Sequence, residues 1–378
     1  MNALALRAIA RADAPQRARP DSLERQLRRF RAEVQPRLRA LAARHPRLAD
    51  LAASFPALLF ALAIPRGRFR PEPVIADVIR GVGLRSLADR AGVALWLRKL
   101  EPEMLRRPLP VLPTNEEFAK RIVNHFPRHP KFVADWLDAV AFAGHWGHDD
   151  FAVWYARNFP TKRRPRPCLP LLCLWAWFSG QEGTRAHGFL EKPWNPHIEY
   201  KAAREAAADW DATLDLFANL GDKPIVDAWF AGDTVDGYEF VPLLTAADMF
   251  EEARAMKNCL RNYGSDIVHD CSRFWSVRKD GARVATVQIS WWPGHPLLDL
   301  YEIQAAQNTD APLEVWQAAG RWLRQHDPVF NFNKEIKWGS VPLDRKMWRE
   351  LWKPYWLAKK AIPDWLPLSP SRDALRAL

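Results

Sequence analysis

The sequence predicts an α+β fold, in which an all-α N-terminal region precedes a compact domain built on an antiparallel sheet. Up to Gly221 the apolar residues recur mainly at helical spacing. After Gly221, short alternating segments separated by turn residues take over. A chain of 378 residues is long enough for two domains, each with its own hydrophobic core.

The helical domain is predicted over residues 21–221. Asp21 begins its first helix, and Thr114 caps a later one, because each is followed three residues on by a glutamate. The segments KFVADWLDAVAFAGHWG and DDFAVWYARNF are two further helices, with Asp149 as the cap of the second. The prolines of PTKRRPRP (160–167) predict a linker. The longest helical pattern ends at Gly221, a typical C-terminal residue.

The α+β domain is predicted over residues 222–330. YEFVPLL is a strand, and Thr245 caps the helix AADMFEEARAM, with Asp248 at its third position. SRFWSVR and RVATVQISWW form a hairpin through KDG, where Gly281 supplies a positive φ. LLDLYEIQAA adds a third strand, NTDAP a turn, and Pro312 starts a closing helix.

The formal net charge of +11 is concentrated at the two ends of the chain. Residues 1–50 contain twelve arginines and five acidic residues, and residues 331–378 contain ten lysines or arginines and five acidic residues. We interpret residues 1–20 as a flexible basic arm and residues 331–378 as a basic, Trp-rich C-terminal segment. Such ends are typical of contacts with nucleic acid or an acidic protein partner. The alternative is that they only aid solubility.

The C-terminal segment LDRKMWRELWKPYWLAKK is predicted to be a basic aromatic helix. Stacking aromatic rings beside cations suit single-stranded nucleic acid. The candidate nucleic-acid-binding residues are Arg345, Lys346, Arg349, Trp352 and Lys353. Alternatively, the apolar stripe that contains Trp352 docks on the protein's own core.

Several classes of protein and site are not expected. The longest apolar runs are well short of the roughly 20 residues of a membrane helix, and no secretory signal is recognisable, so we expect a cytoplasmic protein without a membrane partner. The spacing of the four cysteines predicts no zinc site, and Gly147 separates His145 from His148, so no metal is expected. There is no phosphate-binding or dinucleotide-binding motif, and no cofactor is expected.

Cys259 has several interpretations, of which a metal-binding or redox role is one. In another, it is a nucleophile, with His269 as its base and Asp266 or Asp270 orienting that histidine. Alternatively it is a buried structural residue, because it continues the apolar stripe of the helix before it. The interpretation as a buried residue predicts that its sulfur contacts the strands around Trp275 and Val287.

Four polar residues could form a pocket with Cys259: Asn258, Tyr263, Gln304 and Asn308. Their side chains donate and accept hydrogen bonds, and the sheet would bring them together to bind a planar group such as a base or a peptide group. The alternative is local, with Asn258 capping the helix and Asn308 forming a turn.

The same residues carry a family resemblance. A helix ending in Met256-x-x-Cys259, a nearby Tyr263, the run FWSVRKDGARVATVQI, and Gln304 followed by Asn308 together resemble the PcfJ-like proteins of bacterial plasmids. The likeness extends upstream through HWGHDDFAVW and KPWNP…AAREAAADW, over roughly residues 130–326.

Two positions depart from the family pattern. Asn258 stands where the family often has His, and Ala305–Gln307 stand where it often has a Gly. The resemblance implies an association with plasmids and other mobile elements and supplies no catalytic residues. The sequence therefore predicts an accessory protein of mobile DNA. An enzyme using Cys259 and a protein-interaction scaffold are the alternatives.

Overall fold

The computed structural model describes residues 20–160, 168–225, 227–292, 298–326, 345–363 and 365–366. The chain divides into two compact units, Met1–Trp177 with Asn195–Tyr200, and Phe178–Trp194 with Lys201–Leu378. The α+β fold class predicted from the sequence is confirmed. The predicted arm lies outside the described residues except for residue 20, as do residues 161–167 of the predicted linker and much of the C-terminal segment.

The first unit is helical throughout its described residues. Its α-helices are α1 Pro20–Arg28, α2 Gln35–Ala42, α3 Pro46–Ser54, α4 Pro56–Ala63, α5 Glu72–Arg80, α6 Leu84–Ala91, α7 Glu116–Ile122, α8 Pro130–Trp146, α9 Asp149–Arg157 and most of α10 Leu169–Ser179. Short 3₁₀ helices at Leu95–Lys99, Pro102–Met104 and Val123–His125 connect them. Asp21 thus lies inside α1.

Two of the predicted helix caps in this unit are wrong by one residue. Asn115, not Thr114, caps α7, because its side-chain oxygen accepts the backbone N–H of Phe118. His148, not Asp149, caps α9, where its Nδ1 accepts the N–H of Phe151. The second histidine of HWGHDD therefore has a capping role.

Over its described residues, the second unit contains the end of α10 and six further α-helices: α11 Arg185–Gly188, α12 Tyr200–Leu220, α13 Ala246–Met256, α14 Gly264–Val268, α15 Leu313–Arg324 and α16 Arg345–Lys359. Its strands are β1 Asp233–Val235, β2 Tyr238–Pro242, β3 Ser272–Lys279, β4 Ala282–Ser290, β5 Asp299–Ala305 and β6 Thr309–Asp310. The 3₁₀ helices Leu260–Tyr263 and Ala306–Asn308 complete it.

The six strands form one antiparallel sheet in sequence order, β1 to β6. The predicted hairpin between β3 and β4 is confirmed, and both turn residues, Asp280 and Gly281, have positive φ. The predicted capping box of α13 is also confirmed, because Thr245 and Asp248 exchange hydrogen bonds. NTDAP is more ordered than a simple turn, since it includes β6.

One face of the sheet forms the apolar core of the second unit. Trp275 on β3, Val287 on β4 and Ile303 on β5 are buried with residues of α15. Trp322 of α15 stacks on Phe240 of β2, with ring centroids 4.6 Å apart. Because side chains alternate across a strand, the neighbours of these residues point to the opposite face.

The C-terminal helix α16 packs on the core of its own unit. Trp352 is 0% exposed, with its ring centroid 5.9 Å from that of Phe178 and 6.3 Å from that of Trp210. The prediction that Trp352 stacks on nucleic acid is therefore wrong, because the ring is already buried. Arg345, Lys346, Arg349 and Lys353 are exposed, as predicted for the polar side of this helix.

A half-buried carboxylate on α12 makes the stability of the protein dependent on pH. Burial and the nearby Asp215 raise the pKa of Asp211 to about 6. As the pH falls from about 6 to 4, folded protein takes up a proton that the unfolded chain does not, so folding is stabilised. Asp211→Asn should raise the free energy of unfolding at pH 7 by about 2 kcal/mol and remove this dependence.

Urea unfolding from pH 4 to 8 checks this, with the exposed Glu205→Gln on the same helix as the control. An Asp211→Asn protein that keeps the wild-type pH profile would contradict the expectation.

Candidate functional site

The second face of the sheet is polar and largely covered. Its residues form rows across the strands: Ser272 with Ser290, Phe274 with Gln288 and Glu302, and Ser276 with Thr286 and Gln304. Ser276, Thr286, Gln288 and Ser290 are all buried. Buried polar groups are costly unless they are hydrogen-bonded, so this face is an unusual feature of the fold.

The chain after α13 crosses this polar face. Lys257 takes a left-handed conformation, with φ 51°, and ends the helix. The next residues turn away from the helical stripe, and Cys259 becomes the residue before the 3₁₀ helix Leu260–Tyr263. The prediction that Cys259 is buried against Trp275 and Val287 is therefore wrong. Its thiol is only half-buried and lies on the opposite face of the sheet.

A small open pocket, about 20 Å³ in volume, lies where this segment meets the polar face. The structure brings all four predicted pocket residues to it, together with Cys259. The lining residues are Asn258, Cys259, Leu260, Tyr263, Phe274, Thr286, Gln288, Glu302, Gln304 and Asn308. Three strands supply the floor, and the segment after α13 and the turn after β5 supply the walls.

Of the two local roles that were the alternative, only the turn at Asn308 is found, because Lys257 and not Asn258 is the residue that ends the helix. Asn258 accepts the N–H of Leu260 through Oδ1 at 3.2 Å and donates through Nδ2 to Thr286 Oγ1 at 3.1 Å. Asn308, with φ 56°, forms the turn before β6, and its Oδ1 accepts the N–H of Cys259 at 3.4 Å. These bonds attach both walls to the backbone around the thiol.

Tyr263 and Cys259 are neighbours in the lining of the pocket. Burial, followed by the nearby Cys259 thiol and the Glu302 carboxylate, raises the pKa of Tyr263 to about 12. The Tyr263 ring also packs on Phe274, with centroids 5.0 Å apart. The phenol therefore stays protonated at neutral pH, in a fixed position, and can donate a hydrogen bond to the sulfur.

Gln288 has one end of its amide without a partner. Its Nε2 donates to Ser272 Oγ at 3.2 Å and to Ser290 Oγ at 3.0 Å. Its Oε1 is buried and makes no hydrogen bond. Since the side chain lines the pocket and is 6% exposed, the pocket floor contains an acceptor whose hydrogen-bonding capacity is unused.

An ion pair between a fully buried carboxylate and a partly exposed arginine supports the floor. The Glu252 carboxylate of α13, 0% exposed, accepts Thr286 Oγ1 at 3.0 Å and Arg283 Nε at 2.7 Å. Thr286 in turn accepts Asn258. This chain of bonds fixes α13, β4 and the wall segment in one arrangement.

The predicted partners of a Cys259 nucleophile are not among the residues that line the pocket. His269 has its Nδ1 at 2.8 Å from the carbonyl oxygen of Ser265. Asp270 pairs with Arg273. Burial raises the pKa of Asp266, and His269 counteracts this. A Cys-His-Asp arrangement around Cys259 is therefore not what the pocket presents, and Glu302 is its carboxylate.

In the described part of the chain, no group of three or more His, Cys, Asp or Glu residues could hold a metal ion. None of the described helices is both long and apolar enough to cross a membrane.

No family model, no curated protein and no solved structure matches the chain.

Sequence reasoning missed Thr286, Gln288, Glu302 and Phe274. A signal for two of them was present in RVATVQIS, where Thr286, Gln288 and Ser290 alternate with apolar residues. Such alternation usually marks a solvated face, and only the covering segment after α13 shows that this one is buried.

The Glu252–Arg283 pair gives a test of how the floor is supported. Arg283→Met should lower the free energy of unfolding by about 2 kcal/mol or more, because it leaves a buried carboxylate without its cation. Glu252→Gln should cost less, since an amide can still bond Thr286 and leaves only the half-exposed Arg283 unpaired. Urea unfolding at pH 7 of the two variants compares them. A larger loss for Glu252→Gln would contradict this account.

Proposed function

We propose that the second unit carries a small-ligand site in which Cys259 is the reactive nucleophile. The observation that supports it is the convergence of Cys259, Tyr263, Gln288 and Glu302 on one open pocket. Pockets that combine aromatic walls with a few converging polar groups are typical of ligand sites. A half-exposed thiol beside a hydroxyl donor and a carboxylate is equipped for covalent chemistry.

Each group has a role in this proposal. The Tyr263 hydroxyl donates a hydrogen bond to the sulfur and stabilises its thiolate form. The Glu302 carboxylate accepts the thiol proton. The sulfur then adds to a polarised carbon of the ligand. An S–C bond forms while one electron pair of the carbon's double bond moves onto its oxygen or nitrogen.

Thiol alkylation tests the nucleophile. With iodoacetamide at pH 7, Cys259 should be modified at least about tenfold faster than Cys168, which is similarly half-buried and serves as an internal control. Tyr263→Phe should slow the reaction of Cys259 at pH 6 to 7, because the thiolate loses a hydrogen bond. Peptide mass spectrometry assigns the modified residue.

Equal rates of modification at Cys259 and Cys168 would overturn the proposal that Cys259 is a nucleophile. The proposal of a ligand-binding pocket would remain. A Tyr263→Phe protein with an unchanged pH profile would overturn the role of the phenol alone.

A second function is proposed for the exposed side of α16. Arg345, Arg349 and Lys353 recur every four residues, so they lie along one side of the helix, and all three are exposed. A row of cations on a helix suits the phosphates of nucleic acid. It supports the expectation, taken from the PcfJ-like resemblance, of an accessory protein of mobile DNA. With Trp352 buried, the contact is to the backbone and does not involve base stacking.

Charge reversal tests this second function. The triple variant Arg345→Glu, Arg349→Glu, Lys353→Glu should weaken DNA binding at all sequences and reduce the slope of log K against log salt by about 2 to 3. The control is Lys201→Glu, Arg204→Glu on α12, which reverses two exposed cations of this unit, so that losses are compared per reversed charge. Filter binding between 50 and 200 mM salt measures both. Equal losses per reversed charge in the two variants would leave only a non-specific effect of net charge.

A further inference from the structure

We infer that the group this pocket recognises is a planar, N–H-rich cation of the guanidinium or amidinium class. The inference rests on the proposed ligand site and specifies what enters it. It does not depend on whether Cys259 then reacts.

The described lining of the pocket carries a negative charge and no positive one. It includes the carboxylate of Glu302 and no lysine, arginine or histidine. The nearby Glu252 carboxylate is already paired with Arg283. Glu302 shares the pocket with two aromatic rings, Tyr263 and Phe274, whose faces favour cations. An anionic ligand would meet a carboxylate here with no compensating cation, so the site selects for positive charge.

The hydrogen-bonding pattern gives the second constraint. The unpartnered Oε1 of Gln288 is a buried acceptor, and it requires an N–H or O–H donor to offset its lost hydration. The Gln288 amide nitrogen is already bonded to the two serines behind it. What the floor offers to a ligand at this point is therefore an acceptor.

The spacing of the two acceptors gives the third constraint. Gln288 and Glu302 are directly opposite each other on β4 and β5. Side chains in such pairs start about 5 Å apart and point the same way. Two parallel acceptors at this separation match the fork of N–H groups on a guanidinium or amidinium, which presents several donors in one plane. An alkylammonium offers a compact, strongly hydrated charge and no fork.

Gln304 holds the Glu302 carboxylate in place, because its Nε2 donates to Glu302 Oε1. The carboxylate is thus oriented before any ligand enters, which reduces the entropic cost of binding.

Three probes with the same alkyl chain separate the ligand classes: butylguanidine, butylamine and the neutral butylurea. Binding is measured by calorimetry on the full chain at pH 7 and low salt. Butylguanidine should bind at least about tenfold more tightly than either of the others, as expected for one additional charged hydrogen bond. A comparison of butylguanidine with N-acetylarginine amide then distinguishes a free small molecule from an arginine side chain in a peptide as the source of the group.

The variants locate the contact. Glu302→Gln preserves the shape of the side chain and should reduce butylguanidine affinity at least about tenfold. Asp299→Asn removes an exposed carboxylate from the same strand and should leave the affinity unchanged. Circular dichroism confirms that both variants are folded. If Glu302→Gln does not fold, the three-probe comparison on the wild-type chain decides the question alone.

Butylurea or butylamine binding as tightly as butylguanidine would overturn the inference, as would an affinity that Glu302→Gln leaves intact. A reactive Cys259 that butylguanidine does not protect from iodoacetamide would overturn this inference and leave the nucleophile standing. If butylguanidine binds in a Glu302-dependent way but Cys259 is unreactive, the cation site stands and the proposed nucleophile is overturned.

Discussion

The second unit depends on one constraint, which is that its sheet is covered on both faces while only one of them is apolar. On the first face, Trp275, Val287 and Trp322 form a core held by the burial of large apolar side chains. On the other face, Ser276, Thr286 and Gln288 are buried too, and polar groups taken from water must find partners. The hydrogen bonds of Thr286 with Glu252 and Asn258 supply them. The pocket lies where this set of partners ends, at Gln288 and Glu302.

A single backbone conformation, that of Lys257, places the Cys259 thiol in that pocket. A left-handed residue at position 257 ends α13 one turn before Cys259. Had the helix continued, the thiol would have stayed on the apolar stripe of Met249 and Met256, both of which are buried. The turn moves Cys259 to the pocket beside Tyr263 instead. Lysine, with its Cβ, adopts this conformation less readily than glycine, so the tertiary contacts after the turn must hold it.

The aromatic residues of α16 are also covered by the unit's own core. Trp352 and Tyr355 pack on Phe178, so the apolar side of the helix is consumed by the unit's own core. Arg185 of α11 also forms an ion pair with Glu350 of α16, with Nη1 and Oε2 2.7 Å apart. The basic side is left to solvent by this packing. Although the helix is basic and aromatic in composition, it exposes mainly its basic residues. A polyanion bound to it would contact these charges and would not stack on its buried aromatic rings.

The sequence alone determined the fold class, the meander with its KDG hairpin, the capping box at Thr245 and the group of polar residues around Cys259. These follow from local spacing and from the chemistry of turns and caps, which a linear pattern records. Only the tertiary structure decided that Cys259 faces a pocket, that Gln288 and Glu302 form its floor, and that Trp352 is buried. Each of these features depends on which segment of the chain covers a given face of the sheet or helix. Residues 28 positions apart, such as Asn258 and Thr286, come into contact only because distant segments of the chain pack together.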